Sequence, residues 1–206
     1  STSGNPAFKS NFVVDMALYK QYNGTQDWAI PTRLMGLKHL EPNSTDAEKS
    51  DGTVDNFAFN TGYNNAATNS NYYSWMWKRA PGYFDVVAYS GTGSARTVSH
   101  NLGAVPEMMW VKNRSSGTPW MVYHSALGNQ AYLQLNGTNA QVTGNTSRWN
   151  ATTPTASVFS VGDSGSVNGT SNDIISYLFA TVPNVSKVGT YSGNGGTQNI
   201  DCGFSS

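Results

Sequence analysis

The chain has 206 residues, enough to bury one or two cores, and only 12% of them are charged, against roughly 25% in an ordinary globular protein. Twelve basic and twelve acidic residues cancel, and they cancel again within each half, eight against eight up to Gly103 and four against four beyond it. That balance excludes the basic footprint of a nucleic-acid binder or of a protein held on anionic lipid, and no apolar run approaches the ~20 residues of a membrane-spanning helix. Asn, Ser, Thr and Gly replace charge, and aromatics reach 12%, a mixture that favours strands joined by polar turns over helices. A lone Cys202 excludes an internal disulfide and a thiolate metal cluster. The sequence opens on Ser1 without a signal-peptide pattern, which reads as a processed chain or a piece of a longer one.

In chain order, residues 1–11 read as a linker. Period-2 patterning then predicts strands at Met16–Lys20, Trp28–Ile30, Phe57–Phe59, Tyr72–Trp77 and Phe84–Tyr89. It predicts further strands at Met108–Lys112, Trp120–Tyr123, Val158–Val161, Ile174–Phe179 and Val185–Tyr191. The stretch Asn43–Gly52 is the one place where a helical turn is expected. Turn clusters such as NGT, SSGT, DSGS and SGNGG separate the strands.

The chain repeats itself. An offset of 102 carries Pro81 onto Pro183, Tyr89 onto Tyr191, and Gly91 and Gly93 onto Gly193 and Gly195. An offset of 92 carries Met16 onto Met108, Lys20 onto Lys112, Trp28 onto Trp120 and Gly36 onto Gly128, and an offset of 93 aligns His39–Ala47 with Tyr132–Ala140. The blocks are collinear, so two copies of one unit are expected, residues 12–103 and 104–206, with an insertion around Gly144–Thr152 in the second. The expected fold is all-β, a tandem of two related antiparallel β-sandwiches. The hairpin Phe84–His100 either closes copy 1 or opens copy 2, and Val185–Phe204 poses the same question. If these hairpins open units, the C-terminal one has a strand to offer a neighbouring chain.

The two Gly-x-Gly phrases, YSGTG and YSGNG, are read as hairpin turns, because neither is followed by the helix that a phosphate loop needs. Catalytic signals are sparse. No histidine is shared between copies, and His39, His100 and His124 face Tyr132, Cys202 and Thr32. Asp27, Asp85 and His124 have no triad spacing, and there is no Gly-x-Ser-x-Gly elbow. The SDGTVDN stretch lacks the terminal Glu of a calcium loop. The pair Asp15 and Glu107 stays acidic in both copies, which suits a turn or edge role. No active site, metal or cofactor is expected. The eight Asn-x-Ser/Thr triplets are what such a composition produces by itself, and they matter only in a glycosylating pathway.

Tyr73, Trp75 and Trp77 share one strand face with Ile175, Tyr177 and Phe179 as counterparts, so this stripe is expected in the core, as are Trp28 and Trp120. Aromatics present in one copy only are the better ligand candidates: Trp149 beside Arg148 in the insertion, then Tyr22 and Tyr63. Trp149 has a competing expectation, that of a loop plug folded over the sandwich.

The run Val86–Tyr123 with Tyr132–Ala140 downstream resembles the repeated domain of tail-fibre-like virion proteins of marine and cyanobacterial phages. The likeness rests on Tyr89–Gly93, then His100–Gly103, the strand Met108–Arg114 ending in Lys-x-Arg, and Tyr132–Asn136. Copy 1 has a weaker form, with Lys20 kept, Tyr22 where Arg stands and His39 where Tyr stands. The resemblance implies a lectin-like β-sandwich in a virion structural or adhesion protein, without catalytic residues and without naming a receptor. The expectation is therefore a fibre or spike component on the virion surface, homo-oligomeric, bound to other virion proteins, with a host-surface glycan as candidate ligand. A purely architectural capsid-decoration or shaft module is the alternative, and a polysaccharide-degrading enzyme the third class.

Overall fold

The computed structural model describes residues 6–50, 57–64 and 71–204. The chain is built of strands with almost no helix. In order these are β1 (Phe8–Lys9), β2 (Met16–Gln21), β3 (Ile30–Pro31), β4 (His39–Leu40), β5 (Gly62–Tyr63) and β6 (Tyr72–Trp77). They continue as β7 (Phe84–Ser90), β8 (Arg96–Ser99), β9 (Met108–Asn113), β10 (Met121–His124), β11 (Leu133–Gln134), β12 (Val158–Val161) and β13 (Asp173–Phe179). Among the described residues the single α-helical turn, α1, is Gly165–Asn168, outside the stretch where one was expected. Between Asn43 and Ser50 the chain instead makes a turn and an extended run; residues 51–52 lie outside the described residues. Phe57–Phe59 and Val185–Tyr191 are not strands.

One antiparallel sheet dominates, in the order β11-β10-β9-β13-β7. Four two-stranded pieces, β12-β8, β2-β6, β3-β4 and β1-β5, surround it. The hairpin β7–β8 therefore pairs with the second half of the chain, β7 on β13 along seven residues and β8 on β12 along four. Strand β13 lies between β9 and β7, and its sequence DIISYLF is apolar on both faces, as a strand covered on both sides requires. Ile174 and Leu178 enter one cluster with Val98, Leu102, Met109, Val111, Trp149 and Phe159. Ile175 and Tyr177 point the other way, into a second cluster that joins the halves and includes Met16, Ile30, Leu40, Phe84 and Trp120.

The local geometry of the first half recurs in the second at the sequence offsets. Trp28 N–H donates to Asn43 Oδ1 at 3.1 Å, and Trp120 N–H donates to Asn136 Oδ1 at 2.9 Å. Bridges His39–Lys49 and Tyr132–Val142 correspond, as do the 3-10 turns Arg33–Met35 and Ser125–Leu127, each followed by a positive-φ glycine, Gly36 and Gly128. The acidic pair also has one job. Asp15 Oδ2 accepts from Arg79 N–H at 2.8 Å, and Glu107 Oε2 accepts from Thr181 N–H at 2.6 Å. Each carboxylate satisfies a backbone donor just past the strand that follows it in the sheet.

The aromatic stripe corrects the expectation in the first half. Ile175 and Tyr177 are fully buried, but Tyr73 is 60% and Trp75 48% exposed. The reason is cover: β13 has strands on both edges and the other half on its outer face, whereas among the described residues β6 pairs with β2 alone.

Lys112 is the one fully buried cation among the described residues, and its Nζ donates to the carbonyls of Thr45, Asn113 and Ser116 at 3.2, 2.7 and 3.2 Å. It thereby pins the loop after β4 onto β9. Burial pushes its ammonium down from 10.5 to about 8, with nearby Asp46 opposing the shift. Between those values the unfolded chain keeps a proton that the folded chain has released, so stability is expected to rise with pH from about 8 to 10.5. Burial raises the phenols of Tyr89 and Tyr177 above their ordinary 10.0, so the unfolded chain loses those protons first and stability falls above that point. Denaturant titrations at stepped pH should show a maximum near pH 10, and Lys112→Met should remove the rise but not the fall.

Candidate functional site

The four residues singled out as ligand candidates do not come together. Trp149 is 1% exposed, donates Nε1–H to Ala131 O at 2.9 Å and stands edge-on to Tyr123 at 5.9 Å. Its faces are spent on the core, which corrects the expectation that it stacks on a ligand. Arg148 lies over the Tyr132 ring at 5.0 Å. Tyr63 is fully buried between Phe8 and Phe57, with its hydroxyl on Ser74 Oγ at 2.8 Å, so it too is a core residue. Tyr22 alone is open, 54% exposed and tilted against Tyr73.

The polar residues weighed for catalysis are also occupied separately. Asp27 Oδ1 accepts from Asn43 Nδ2, Asp85 Oδ2 from Asn101 N–H and His124 Nδ1 from Ala126 N–H. Burial pushes the His100 imidazole below its usual value, and its Nε2 sits 3.2 Å from Thr155 O.

What the structure does form is a cleft of about 450 Å³ between the halves. Strand β2 contributes Leu18, β9 contributes Trp110, and the turns after β4 and β11 contribute Pro42 with Asn43 and Leu135 with Asn136. These are repeat partners facing one another, with Trp28 on the first-half side and Gly137 and Thr138 opposite. The turn residues follow from the sequence: each Asn side chain accepts the backbone N–H of its Trp and so fixes the loop against the strand ahead of it.

The two sides of this junction differ. On one, Trp120 Nε1–H donates to Glu41 O at 2.9 Å, Arg114 pairs with Glu48 at 2.7 Å, and Trp120 is fully buried. On the other the counterpart Trp28 is only partly buried and lies against Trp75, at 5.8 Å between ring centroids. The cleft is the open side. Its walls are mainly apolar, and the donors Trp28 Nε1, Trp110 Nε1 and Asn136 Nδ2 have no hydrogen-bond acceptor among the described residues. An aromatic wall with unspent N–H donors suits a flat, hydroxyl-bearing ligand. The sequence does not reveal this site, because it is made by repeat partners meeting and not by residues unique to one copy.

Fold and cleft define an all-β chain with a ligand-sized groove where its two halves meet. Residues 2–205 match the family described as Domain of unknown function (DUF7483), and the chain belongs to that family. No curated protein and no solved structure matches it.

Proposed function

We propose that this chain is a non-enzymatic module of a phage virion, part of a tail fibre or spike, and that the cleft between its halves takes a sugar of a host-surface glycan. The observation that carries the ligand reading is the cleft itself, with Trp28 and Trp110 in its wall and three N–H donors without acceptors among the described residues. The virion reading rests on the resemblance of Tyr89–Gly93, His100–Gly103 and Tyr132–Asn136 to the phage repeat. Recurring hydrogen bonds support two related sandwich units, and the pairing of β7 with β13 supports the reading in which the Phe84–His100 hairpin opens the second unit, so that its boundary falls near Pro81 and the first unit has no such hairpin ahead of it.

Tryptophan fluorescence titrated with a panel of bacterial surface oligosaccharides tests the site. A saturable change is expected, and Trp28→Ala should abolish it while costing the aromatic pair with Trp75, about 0.5–1.5 kcal/mol, on top of the apolar area that the half-buried ring covers. Titrations flat across the panel, or a Trp28→Ala variant that binds as the parent does, overturn the assignment.

A further inference from the structure

The edge of β6 that faces away from β2 carries no strand among the described residues, although the same edge of β13 is filled by β7. The C-terminal stretch 182–204 has the build of the β7 hairpin, 102 positions on. The bridge Val182–Ser186 matches Ala80–Phe84, and Gly195 with φ 77° matches Gly93 with φ 73°. Gln198 Nε2 donates to Ser192 O at 3.1 Å, as Arg96 Nη2 donates to Ser90 O at 2.5 Å. Yet this second hairpin forms no strand and exposes Ile200 and Phe204, whose counterparts Val98 and Leu102 are core residues.

Gly193 sharpens the contrast. Its φ is not positive and a methyl there would meet nothing, so its present surroundings do not require glycine. At its counterpart Gly91 a methyl would overlap the Gly169 carbonyl, because the docked hairpin tip lies directly on that backbone.

We infer that residues 186–192 dock along the open edge of β6 in the same chain, in the register that β7 takes on β13. The same chain is indicated by where the stretch begins. Val185 lines a cavity with Met76, Trp77 and Lys78, and its counterpart Tyr83 stands at the matching end of β13, where its carbonyl accepts from Ala180 N–H at 3.1 Å. Repeat partners meet across the junction, Leu18 with Trp110 and Tyr83 with Val185, as in a two-fold arrangement. In such an arrangement the stretch after β13 does for β6 what β7 does for β13. The register on β13 then carries over to set Val188 opposite Trp75 and Thr190 opposite Tyr73. The backbone bonds Ala180–Tyr83 and Gly91–Asn172 mark which pairs exchange hydrogen bonds. By that alternation the N–H groups of Ser74 and Met76 point at the incoming strand, and Tyr73 with Thr190 is a non-hydrogen-bonded pair. Docking covers two exposed aromatics and removes an open edge. This closure is independent of any sugar in the cleft.

The test is a Tyr73→Cys/Thr190→Cys/Cys202→Ser variant, oxidised and sized, because a non-hydrogen-bonded pair brings Cα atoms within disulfide reach. An intrachain disulfide in a monomer is expected. Hydrogen exchange on the unmodified chain gives a second reading that needs no cysteine. Ser74 and Met76 amides should exchange more slowly by roughly two orders of magnitude than in Gly189→Pro, with Val111 and Ile175 unchanged between the two. Disulfide-linked oligomers, a double-cysteine variant that folds without a crosslink, or equal Ser74 and Met76 exchange in both chains overturns the inference.

Discussion

Trp149→Ala is expected to destabilise the chain by about 3–5 kcal/mol, the range for truncating a buried large aromatic. The indole is 1% exposed, packs with Tyr123, Phe159 and Val161 in the same cluster, and holds Ala131 O at 2.9 Å. Removing it leaves a cavity and a carbonyl without its donor, and both costs add. Urea unfolding of the variant should show a midpoint far below that of the parent with m unchanged. Trp149→Phe fills most of the volume but cannot donate to Ala131, so it should recover more than half of the loss. A Trp149→Ala variant as stable as the parent would show that the insertion 144–152 is not part of the core.

Asn168→Ala should cost a comparable amount. Asn168 is fully buried, its Oδ1 accepts from Thr92 N–H at 2.9 Å, and its Nδ2 donates to Ser94 O and Gly162 O at 2.7 Å each. It is the clasp between the β7–β8 turn and the segment joining β12 to α1. Each buried group left unpaired costs about 1–3 kcal/mol, and alanine would leave the buried Gly162 carbonyl without its donor together with the part-buried Thr92 N–H and Ser94 carbonyl. Asn168→Asp keeps the acceptor but loses both donations and places a carboxylate in a site built from carbonyls, so it should be no better. Thermal melts of the two variants check this, with local loss of exchange protection at Thr92 as the site-specific signature. The same burial means that Asn168, although it opens an Asn-x-Thr triplet, is closed to any glycosylating enzyme in the folded chain.

The repeat was legible because it is written in residues that perform backbone tasks. Asn43 and Asn136 fix loops, Asp15 and Glu107 satisfy an amide past a strand, and Gly36 and Gly128 take positive φ. Such tasks recur wherever the chain path recurs. Strand type was legible as well, since β6, β7, β9, β12 and β13 are runs rich in apolar, β-branched and aromatic residues bounded by turn clusters. Partnership was not. The letters of Phe84–Ser90 and of 186–192 are alike, yet in the structure only the first lies paired on a sheet edge and forms a strand. Exposure of Tyr73 and Trp75 against burial of Ile175 and Tyr177 is likewise decided by what covers each strand. Trp149 misled because an aromatic among Asn, Thr and Arg reads as surface, whereas the polar neighbours are turn residues around a ring that points inward. The cleft could not be read at all, since it exists only where two repeats face one another.

The most direct test of the central claim is binding of the fluorescently labelled chain to cyanobacterial and other marine bacterial cells, with and without their purified surface polysaccharide, beside the Trp28→Ala variant. Saturable binding that polysaccharide displaces and Trp28→Ala lacks is the predicted result. A folded chain that binds none of these cells, or binds them equally well without Trp28, would contradict the glycan-binding role of the cleft.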